Sequence, residues 1–414
     1  MRLRPSQGKA MTPTGRGTRG KLIVGQSGGC THVLNASLHG VIAEAQRARS
    51  VTAVLGMRHG IEGILRGDIL NLSAASPQTL AALDRTPAAA LGSCRRRISD
   101  EEAAAVVQFL DKRSVRFFIY IGGNDSADTS HRIALAARAQ GCDLRVVGVP
   151  KTIDNDLPET DHCPGYGSAA RFIASVTADT GMETEAMRSV EPVKIVEVMG
   201  RNAGWLAAAS ALAKRSPRDA PHLVWTPEIP FDRALFLRLV RQSLKNPGYC
   251  VAVIAETVRD KRGLPVASGG RRLERDAFGH VRAQDAAEYL CGLVRAELGV
   301  RARWDKPGTI QRMSSAHFSP VDVREARACG RHAVRLALGG ATDCMVVMRR
   351  RKGPYAVDYD STPLVRIANR DRPMPKRFFS PNAMLPTPAF KRYALPLVGD
   401  GLPNHPRLAG PRPI

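Results

Sequence analysis

Several polar and charged residues follow one predicted strand closely, and their side chains could transfer a chemical group. Residues 146–150 form a short apolar run that is typical of a buried parallel strand. Pro150 ends that strand, because proline has no N–H to donate to a neighbouring strand. Open α/β sheets bind ligands just beyond the carboxyl ends of their strands. We therefore expect a functional site that includes Lys151, Thr152, Asp154, Asn155 and Asp156.

A lysine next to two carboxylates suits phosphoryl transfer. The transferred group carries negative charge on its oxygens, so its transfer needs a cation, a base for the attacking hydroxyl and usually a metal ion. Lys151 could be the cation and Asp154 the base, while Asp156 could orient Asp154 or hold Mg²⁺ through water. The alternative is structural: residues 152–156, TIDND, could form a turn whose side chains bond their own backbone.

A glycine-containing turn near the start of the chain could bind a phosphate. Residues 26–29, QSGG, lie between a strand predicted at 21–25 and a helix predicted at 35–47. In that arrangement backbone N–H groups and the helix N-terminus point towards an anion. The turn lacks the Walker pattern and could instead be an ordinary tight connection. Three guanidinium groups at 95–97 would also suit phosphate oxygens, although for Arg96 a solvent-exposed charge is the preferred interpretation.

Two later strand ends carry similar turns. Residues 122–126, GGNDS, follow a predicted strand, and the next helix is predicted at 127–140. Asp125 or Ser126 could cap that helix, which is the alternative to a functional role. Residues 199–201, MGR, again combine glycine and arginine at the end of a predicted strand. Repetition of this pattern favours an anion-binding site built from several strand ends.

Strands alternate with helices along most of the chain, which predicts parallel sheets with right-handed crossovers and therefore an α/β fold. The pattern starts again after Gly167, and 414 residues are more than one core usually supports, so two domains are expected. More local expectations are a turn at 60–63, a capping box at 99–102, an Ala-rich helix reaching 214, a surface loop at 260–283, an extended segment at 301–312 and a tail from 371 that wraps the surface.

Composition excludes several classes of protein. No run of about 18 apolar residues occurs, so no membrane span is predicted. The eight cysteines form no C-x-x-C pair, which predicts reduced thiols in a cytoplasmic protein. The net charge is +23, but the arginines are dispersed and aromatic residues are few, so nucleic acid is not an expected partner whereas a phosphorylated substrate is compatible. Residues 1–20 are predicted to be a disordered basic extension without a signal peptide.

Seven motifs follow one another along the chain at wide separations. They are QSGG, GSCR, IGGNDS, PKTIDND, MGRNAGW, IAET and PGTIQR. Together they resemble the phosphofructokinase family over about residues 21–370, and most of all the branch that uses pyrophosphate. The resemblance implies two Rossmann-like, three-layer α/β domains with mostly parallel sheets and an active site in the cleft between them. The implied donor domain comprises 21–166 and 312–366, and the fructose 6-phosphate domain comprises 167–311 and 367–414.

The resemblance also implies an activity, a cofactor and a set of site residues. The activity is transfer of a phosphoryl group from pyrophosphate to the 1-hydroxyl of fructose 6-phosphate, with Mg²⁺ as cofactor and Asn124 at a metal-ligand position. The implied catalytic residues are the base Asp154 with Lys151, Asp125 and Asp156. The implied diphosphate-binding residues are Gly28, Gly29, Arg95 and Gly123. The implied sugar-phosphate ligands are Thr152, Ile153, Asp154, Met199, Gly200, Arg201, Glu256, Arg303, Thr309 and Arg312.

Some residues indicate, by the same resemblance, which phosphoryl donor is used and whether the chain forms an oligomer. Asp125 stands where ATP-using relatives have the last glycine of GGDG, and its carboxylate would repel the α-phosphate of a nucleotide. Lys151 resembles the lysine that stabilises the transferred group when pyrophosphate is the donor. Arg303 matches an arginine supplied by the adjacent subunit, which implies a homodimer or homotetramer. The chain departs from the family at Asn124, which replaces an aspartate, and at Thr309, which replaces histidine or tyrosine.

Two other functions stay open at this point. Within the enzyme class, the alternative is an ATP-dependent 6-phosphofructokinase. From a different class, the chain could be a sugar-phosphate sensor or accessory protein without catalytic activity. That second alternative leaves the presence of Lys151, Asp154 and Asp156 in one short stretch unexplained.

Overall fold

The computed structural model describes residues 18–266 and 285–408, and nearly all of the predicted basic extension and most of the predicted loop at 260–283 lie outside them. The strands are β1 (Gly20–Gln26), β2 (Val51–Met57), β3 (Ile69–Asn71), β4 (Val115–Gly122), β5 (Arg145–Pro150), β6 (Val193–Val198), β7 (Leu223–Trp225), β8 (Cys250–Ala255), β9 (Ala302–Asp305), β10 (Cys344–Arg350), β11 (Val357–Pro363), β12 (Phe379–Ser380) and β13 (Leu385–Pro386). The helices are α1 (Leu34–Arg47), α2 (Ile61–Arg66), α3 (Pro77–Leu83), α4 (Asp100–Lys112), α5 (Asn124–Ala139), α6 (Tyr166–Ala186), α7 (Trp205–Ala209), α8 (Arg233–Lys245), α9 (Ala286–Leu298), α10 (Pro320–Leu338) and α11 (Pro388–Val398).

Two sheets organise the described chain, as the predicted α/β fold requires. The first has seven strands in the order β11-β10-β5-β4-β1-β2-β3, and the second has four in the order β7-β8-β6-β9. Within these two sheets all pairs are parallel except β2–β3 and β10–β11 at the edges of the first, and β12 and β13 form a separate antiparallel pair. The carboxyl ends of β1, β4 and β5 therefore lie side by side. The limits predicted for the two domains stay a prediction.

The central strands are apolar along their whole length because helices cover both faces of a parallel sheet. Every residue of β8 is buried, and β4 and β5 are buried apart from Arg116 and Arg145. All eight cysteines are free, in agreement with the predicted reduced thiols. No helix in the described part of the chain is long and apolar enough to cross a membrane.

The C-terminal segment enters the core within residues 374–398, whereas residues 399–408 lie at the surface, so the prediction that the whole tail wraps the surface is wrong in part. Phe378, Phe379 and Phe390 are at most 7% exposed and pack in the same cluster as Trp205. The ring of Phe378 lies 5.8 Å from that of Trp205 in an edge-to-face arrangement. The prediction failed because it followed the prolines and arginines of the segment and gave no weight to its aromatic residues.

Several helix limits also differ from the prediction. The expected turn at 60–63 opens helix α2, and α5 starts at Asn124 with Gly123 before it, so neither Asp125 nor Ser126 caps the helix. The Ser126 hydroxyl instead donates to the Ser27 hydroxyl, 2.9 Å away. The helix expected to reach residue 214 ends earlier, with α7, and a short 3-10 helix follows it. The segment at 301–312, expected to be extended, ends in another 3-10 helix. The predicted capping box is confirmed at the start of α4.

Helices α1 and α10 pack so closely that their backbones approach each other directly. A Cβ atom on Gly40 would lie 2.0 Å from the carbonyl oxygen of Arg327, and one on Gly330 would lie 2.1 Å from that of Ser37. Backbone atoms cannot move aside as a flexible side chain can. Glycine at both positions therefore fixes the distance between the two helices, and α1 in turn fixes the glycine turn that precedes it.

Gly330→Ala should lower the free energy of unfolding by about 1–3 kcal/mol, because the added methyl group overpacks this contact. Urea denaturation would measure the change. The matched control is Gly292→Ala in α9, where an added Cβ has no neighbour within 4 Å among the described residues. That control should gain up to about 1 kcal/mol from the better helix propensity of alanine. Equal stability of Gly330→Ala and the unmodified protein would contradict this packing.

Candidate active site

A cleft is lined by the turns that follow β1, β4 and β5 of the first sheet and β6 of the second. Its first cavity has a volume of about 170 Å³. The residues that line it are Ser27, Gly28, Gly29, Arg95, Arg96, Gly123, Asn124, Asp125, Ser126, Lys151, Thr152, Asp154, Asp156, Arg201, Asn202 and Asp371. The structure thus brings all the predicted diphosphate-binding and catalytic residues around one cavity.

A second cavity adjoins the first and has a volume of about 340 Å³. It contains most of the predicted sugar-phosphate ligands. The residues that line it are Gly29, Cys30, Thr31, Arg95, Lys151, Thr152, Ile153, Asp154, Met199, Arg201, Glu256 and Arg312. Lys151 and Asp154 line both cavities, so a group that passes from one cavity to the other would pass between them.

Lys151 is a buried cation at this junction. Lys151 directly follows the last residue of β5 and is only 4% exposed. Its ammonium group donates to the carbonyl oxygen of Gly29 at 2.8 Å, and no carboxylate of the described residues forms an ion pair with it. Burial lowers the pKa of Lys151 to about 8, and the guanidinium groups of Arg312 and Arg95 add to the decrease. A buried positive charge of this kind is stabilised by an anionic ligand.

The glycine turn after β1 is shaped around these cations. Gly28 has φ +80, and a Cβ there would lie 3.0 Å from Nζ of Lys151. A Cβ on Gly29 would lie 2.5 Å from a terminal nitrogen of Arg312. The Gly28 N–H donates to the Cys94 carbonyl at 3.0 Å, so this glycine contributes space rather than a free donor. The two glycines leave room for a ligand between the cationic groups.

Two carboxyl groups face the cations from the loop after β5. Burial raises the pKa of Asp154, and the nearby Glu256 raises it further. Burial also raises the pKa of Asp156, with added repulsion from Asp154 and Asp371. The Asp154 N–H donates to the Thr152 hydroxyl at 3.0 Å, which fixes the turn. A carboxylate with a raised pKa is better matched to accept a proton near neutral pH than an ordinary aspartate.

Asp125 lines the first cavity and forms an ion pair with Arg97 at 2.9 Å. The neighbouring Asn124 uses its amide group in two ways. Its oxygen accepts from the Asp125 N–H at 2.9 Å, and its nitrogen donates to Asp371 at 2.6 Å. Asp125 therefore adds a carboxylate, held by an arginine, to the lining of the first cavity.

Sequence reasoning missed Asp371 and Asn202. The Asn202 amide donates to one oxygen of Asp371 at 2.7 Å, while Asn124 donates to the other. Asp371 thereby joins a turn of the first sheet to a turn of the second. No motif marks it, because it follows β11 in a stretch rich in proline and arginine. The sequence signal for Asn202 was its place in the motif MGRNAGW, directly after Arg201.

Three predicted ligands lie outside the two cavities. Gly200 has φ +135 and forms the bend between residues that do line the cleft. Thr309 is exposed on the 3-10 helix that ends at Arg312. Arg303 pairs with Glu191 beside a separate cavity. Their predicted roles stay predictions, and a role for Arg303 would require the cleft of another subunit.

The cleft offers oxygen ligands that suit a hard cation. Asp371 has only neutral amide partners, since no ion pair involves it within residues 18–266 and 285–408. Asp156 lines the same cavity. No group of three or more acidic, histidine or cysteine side chains that could hold a metal occurs in these ranges. Mg²⁺ usually needs only one or two carboxylates, because water and substrate phosphates supply its other ligands. The residues therefore fit Mg²⁺ bound together with a phosphorylated ligand.

Comparison with known proteins gives a consistent result. The model of the family described as phosphofructokinase matches residues 21–337. The pyrophosphate–fructose 6-phosphate 1-phosphotransferase of Xanthomonas campestris is 40% identical over 94% of this chain and 96% of its own length. The enzyme of the same name from Halomonas elongata is 38% identical over 93% and 95%. The crystal structure of a pyrophosphate-dependent phosphofructokinase from Nitrosospira multiformis aligns with a TM-score of 0.83, at 32% identity and 94% coverage of both chains.

Gly29→Ala should weaken binding of pyrophosphate about 10-fold, or about 1.4 kcal/mol. The added methyl group would displace the end of the Arg312 side chain, which is flexible, so the unfolding temperature should stay nearly unchanged. Isothermal titration calorimetry and thermal unfolding would measure the two effects. Gly292→Ala serves as the control and should leave binding unchanged. Unaltered binding in Gly29→Ala would show that the turn does not shape the anion site.

Proposed function

Because the chain belongs to the phosphofructokinase family, we propose that it transfers a phosphoryl group reversibly from pyrophosphate to the 1-hydroxyl of fructose 6-phosphate. The observation that carries this proposal is the buried Lys151 ammonium group, which lies between two cavities without a carboxylate partner in the described residues. Relatives of similar length carry the corresponding name, which supports the same donor and acceptor.

Asp154 is the proposed base of the reaction. It accepts the proton of the 1-hydroxyl while the sugar oxygen forms a bond to the nearer phosphorus of pyrophosphate. The bridging P–O bond then breaks, and phosphate leaves with the electron pair. Lys151 and Arg95 stabilise the negative charge on the transferred group, which is the main contribution an enzyme makes to this type of reaction.

The second cavity is the proposed site of fructose 6-phosphate. Arg312 and Arg201 would bind its phosphate, and Glu256 would accept a hydrogen bond from a sugar hydroxyl. The other proposed ligands that line this cavity are Thr152, Ile153 and Met199. Gly200 would shape the turn between two of them. Arg303 would act in the cleft of a neighbouring subunit, so the active form would be a homodimer or homotetramer. Thr309 would take the position beside the sugar phosphate that histidine or tyrosine has in relatives.

The first cavity is the proposed site of the donor. Its volume of about 170 Å³ is below the range of roughly 300–1,000 Å³ typical of sites for drug-sized ligands, which favours a compact donor. Gly28, Gly29 and Gly123 would leave room for the diphosphate. Asp125, held by Arg97, would repel the next phosphate of a nucleotide. We therefore assign donor binding to the unit built on the seven-stranded sheet.

Mg²⁺ is the proposed cofactor. When bound, it would neutralise part of the charge of the diphosphate. Asp156, Asp371 and the Asn124 side-chain oxygen would hold it together with water and donor oxygens. The eight free cysteines support a cytoplasmic location for the reaction.

A steady-state assay of the purified protein with fructose 6-phosphate tests the donor. The protein should form fructose 1,6-bisphosphate with pyrophosphate and not with ATP. Asp125→Gly should raise the ratio of kcat/KM for ATP to that for pyrophosphate by about 10-fold or more, because like charges placed together cost several kcal/mol. Asp125→Asn, which keeps the size and removes the charge, separates repulsion from steric exclusion. Activity of the unmodified protein with ATP alone would refute the proposal.

The pH dependence of kcat/KM should be bell-shaped, because it reports groups of the free enzyme. The rate should rise with pH as Asp154 loses its proton, above the usual range for aspartate because its pKa is raised. It should fall as pH passes about 8, where Lys151 loses its charge.

Lys151→Arg is the informative variant, since a guanidinium stays charged through this range. It should remove the alkaline decrease and keep the acidic one, whatever its maximal rate. An unchanged alkaline decrease would exclude Lys151 as its source.

A further inference from the structure

The loop that carries Asp154 and Asp156 has an unusual backbone. Asn155 and Glu159 have φ angles of +54 and +64, although neither is glycine. Such conformations cost about 1–3 kcal/mol each and persist only where the surroundings enforce them. Contacts outside the loop must therefore hold it in this shape.

Arg372 makes most of these contacts. Its backbone N–H donates to the carbonyl oxygen of Asp156 at 2.6 Å. Its guanidinium donates to the carbonyl oxygens of Asn155 at 2.8 Å and Asp161 at 3.0 Å, and also to that of Thr160. One residue thus binds four carbonyl groups of the loop, on both sides of the second left-handed residue.

Tyr393 also forms hydrogen bonds to this loop. Its hydroxyl accepts from the Asn155 side-chain nitrogen at 2.9 Å and donates to the Asp161 carbonyl oxygen at 2.8 Å. The Asn155 side-chain oxygen in turn accepts from the Cys163 N–H at 3.0 Å. Asn155 is fully buried, so these bonds have no competition from water.

Arg372 is itself fixed by the second half of the molecule. Its guanidinium lies 4.9 Å from the centre of the Trp205 ring, and its carbonyl oxygen accepts from the Trp205 indole N–H at 3.4 Å. Trp205 belongs to the core that surrounds the four-stranded sheet. Arg372 therefore connects the loop after β5 to a rigid anchor on the opposite side of the cleft. It lies beyond residues 21–337, which the family model matches.

We propose that Arg372 is a positioning residue for the reaction: it fixes the loop so that the Asp154 carboxylate faces the sugar hydroxyl, with Tyr393 in a supporting role. The inference rests on the proposed function only in taking Asp154 as the base. A planar guanidinium suits this task, because its five N–H donors can bind several carbonyl groups at once. A lysine ammonium has three donors on one atom and cannot span them.

Arg372→Ala tests the proposal. Without the guanidinium the loop can relax, and a displacement of about 1 Å of a catalytic group costs on the order of 10²-fold in rate. We expect kcat to fall about 10- to 100-fold, while KM for pyrophosphate changes by less than about 2-fold because Lys151 and the glycine turn remain. Methylguanidine added to the assay should restore part of kcat in this variant. The control is Arg370→Ala, an exposed arginine of the same segment, which should behave as the unmodified protein.

Tyr393→Phe keeps the ring in the core and removes only the hydroxyl, so it tests the proposal even if Arg372→Ala does not fold. It should lower kcat about 2- to 10-fold, again with KM for pyrophosphate nearly unchanged. Unchanged kcat in a folded Arg372→Ala overturns the proposal. So does unchanged kcat in Tyr393→Phe when Arg372→Ala is unfolded. The proposal is also overturned if kcat falls only in proportion to the fraction of unfolded protein and methylguanidine does not restore it.

The proposed function can fail separately from this inference. If the unmodified protein uses ATP and not pyrophosphate, the proposed donor is wrong. The same variants can then be compared with ATP, since the base acts on the sugar hydroxyl with either donor. If the unmodified protein uses pyrophosphate and the variants retain full kcat, only the positioning role of Arg372 is wrong.

Discussion

The burial of a positive charge at Lys151 is the constraint on which the site depends. Removing an ammonium group from water is costly, and a single backbone carbonyl offsets only part of that cost. Arg95 and Arg312 lie close by and make the charge still harder to keep. An anion between these groups lowers that cost, and in the proposed reaction the transferred group of the diphosphate would carry its negative charge at that position. The buried charge of Lys151 thus raises the free energy of the site without a ligand and, in the proposed reaction, stabilises the transferred group.

The rest of the fold serves this arrangement. Parallel pairing places the ends of β1, β4 and β5 side by side, so residues far apart in sequence line one cavity. Gly28 and Gly29 keep side chains away from the cations, and the contact between α1 and α10 holds their turn in place. The second sheet contributes its own turn after β6. The C-terminal segment then crosses between the two halves and binds both.

The sequence predicted the parts of this site that depend on local pattern. Lys151 and Asp154 were identifiable because an apolar strand ends immediately before them, and the same reasoning located the turns at Gly28 and Gly123. It could not locate Asp371 or Arg372, since Arg372 lies 217 positions from Asn155, which it binds. Such a contact depends on the tertiary path of the chain, and no periodicity records that path. The family resemblance supplied the ligands of the second cavity, which spacing alone did not.

The most direct test is a crystal structure with methylenediphosphonate, a pyrophosphate analogue that resists cleavage, and fructose 6-phosphate. The account predicts that the Lys151 ammonium leaves the Gly29 carbonyl and binds the phosphonate nearest the sugar, with the Asp154 carboxylate within hydrogen-bonding distance of the 1-hydroxyl. A structure in which the analogue lies elsewhere, and Lys151 still binds only the Gly29 carbonyl, would contradict it.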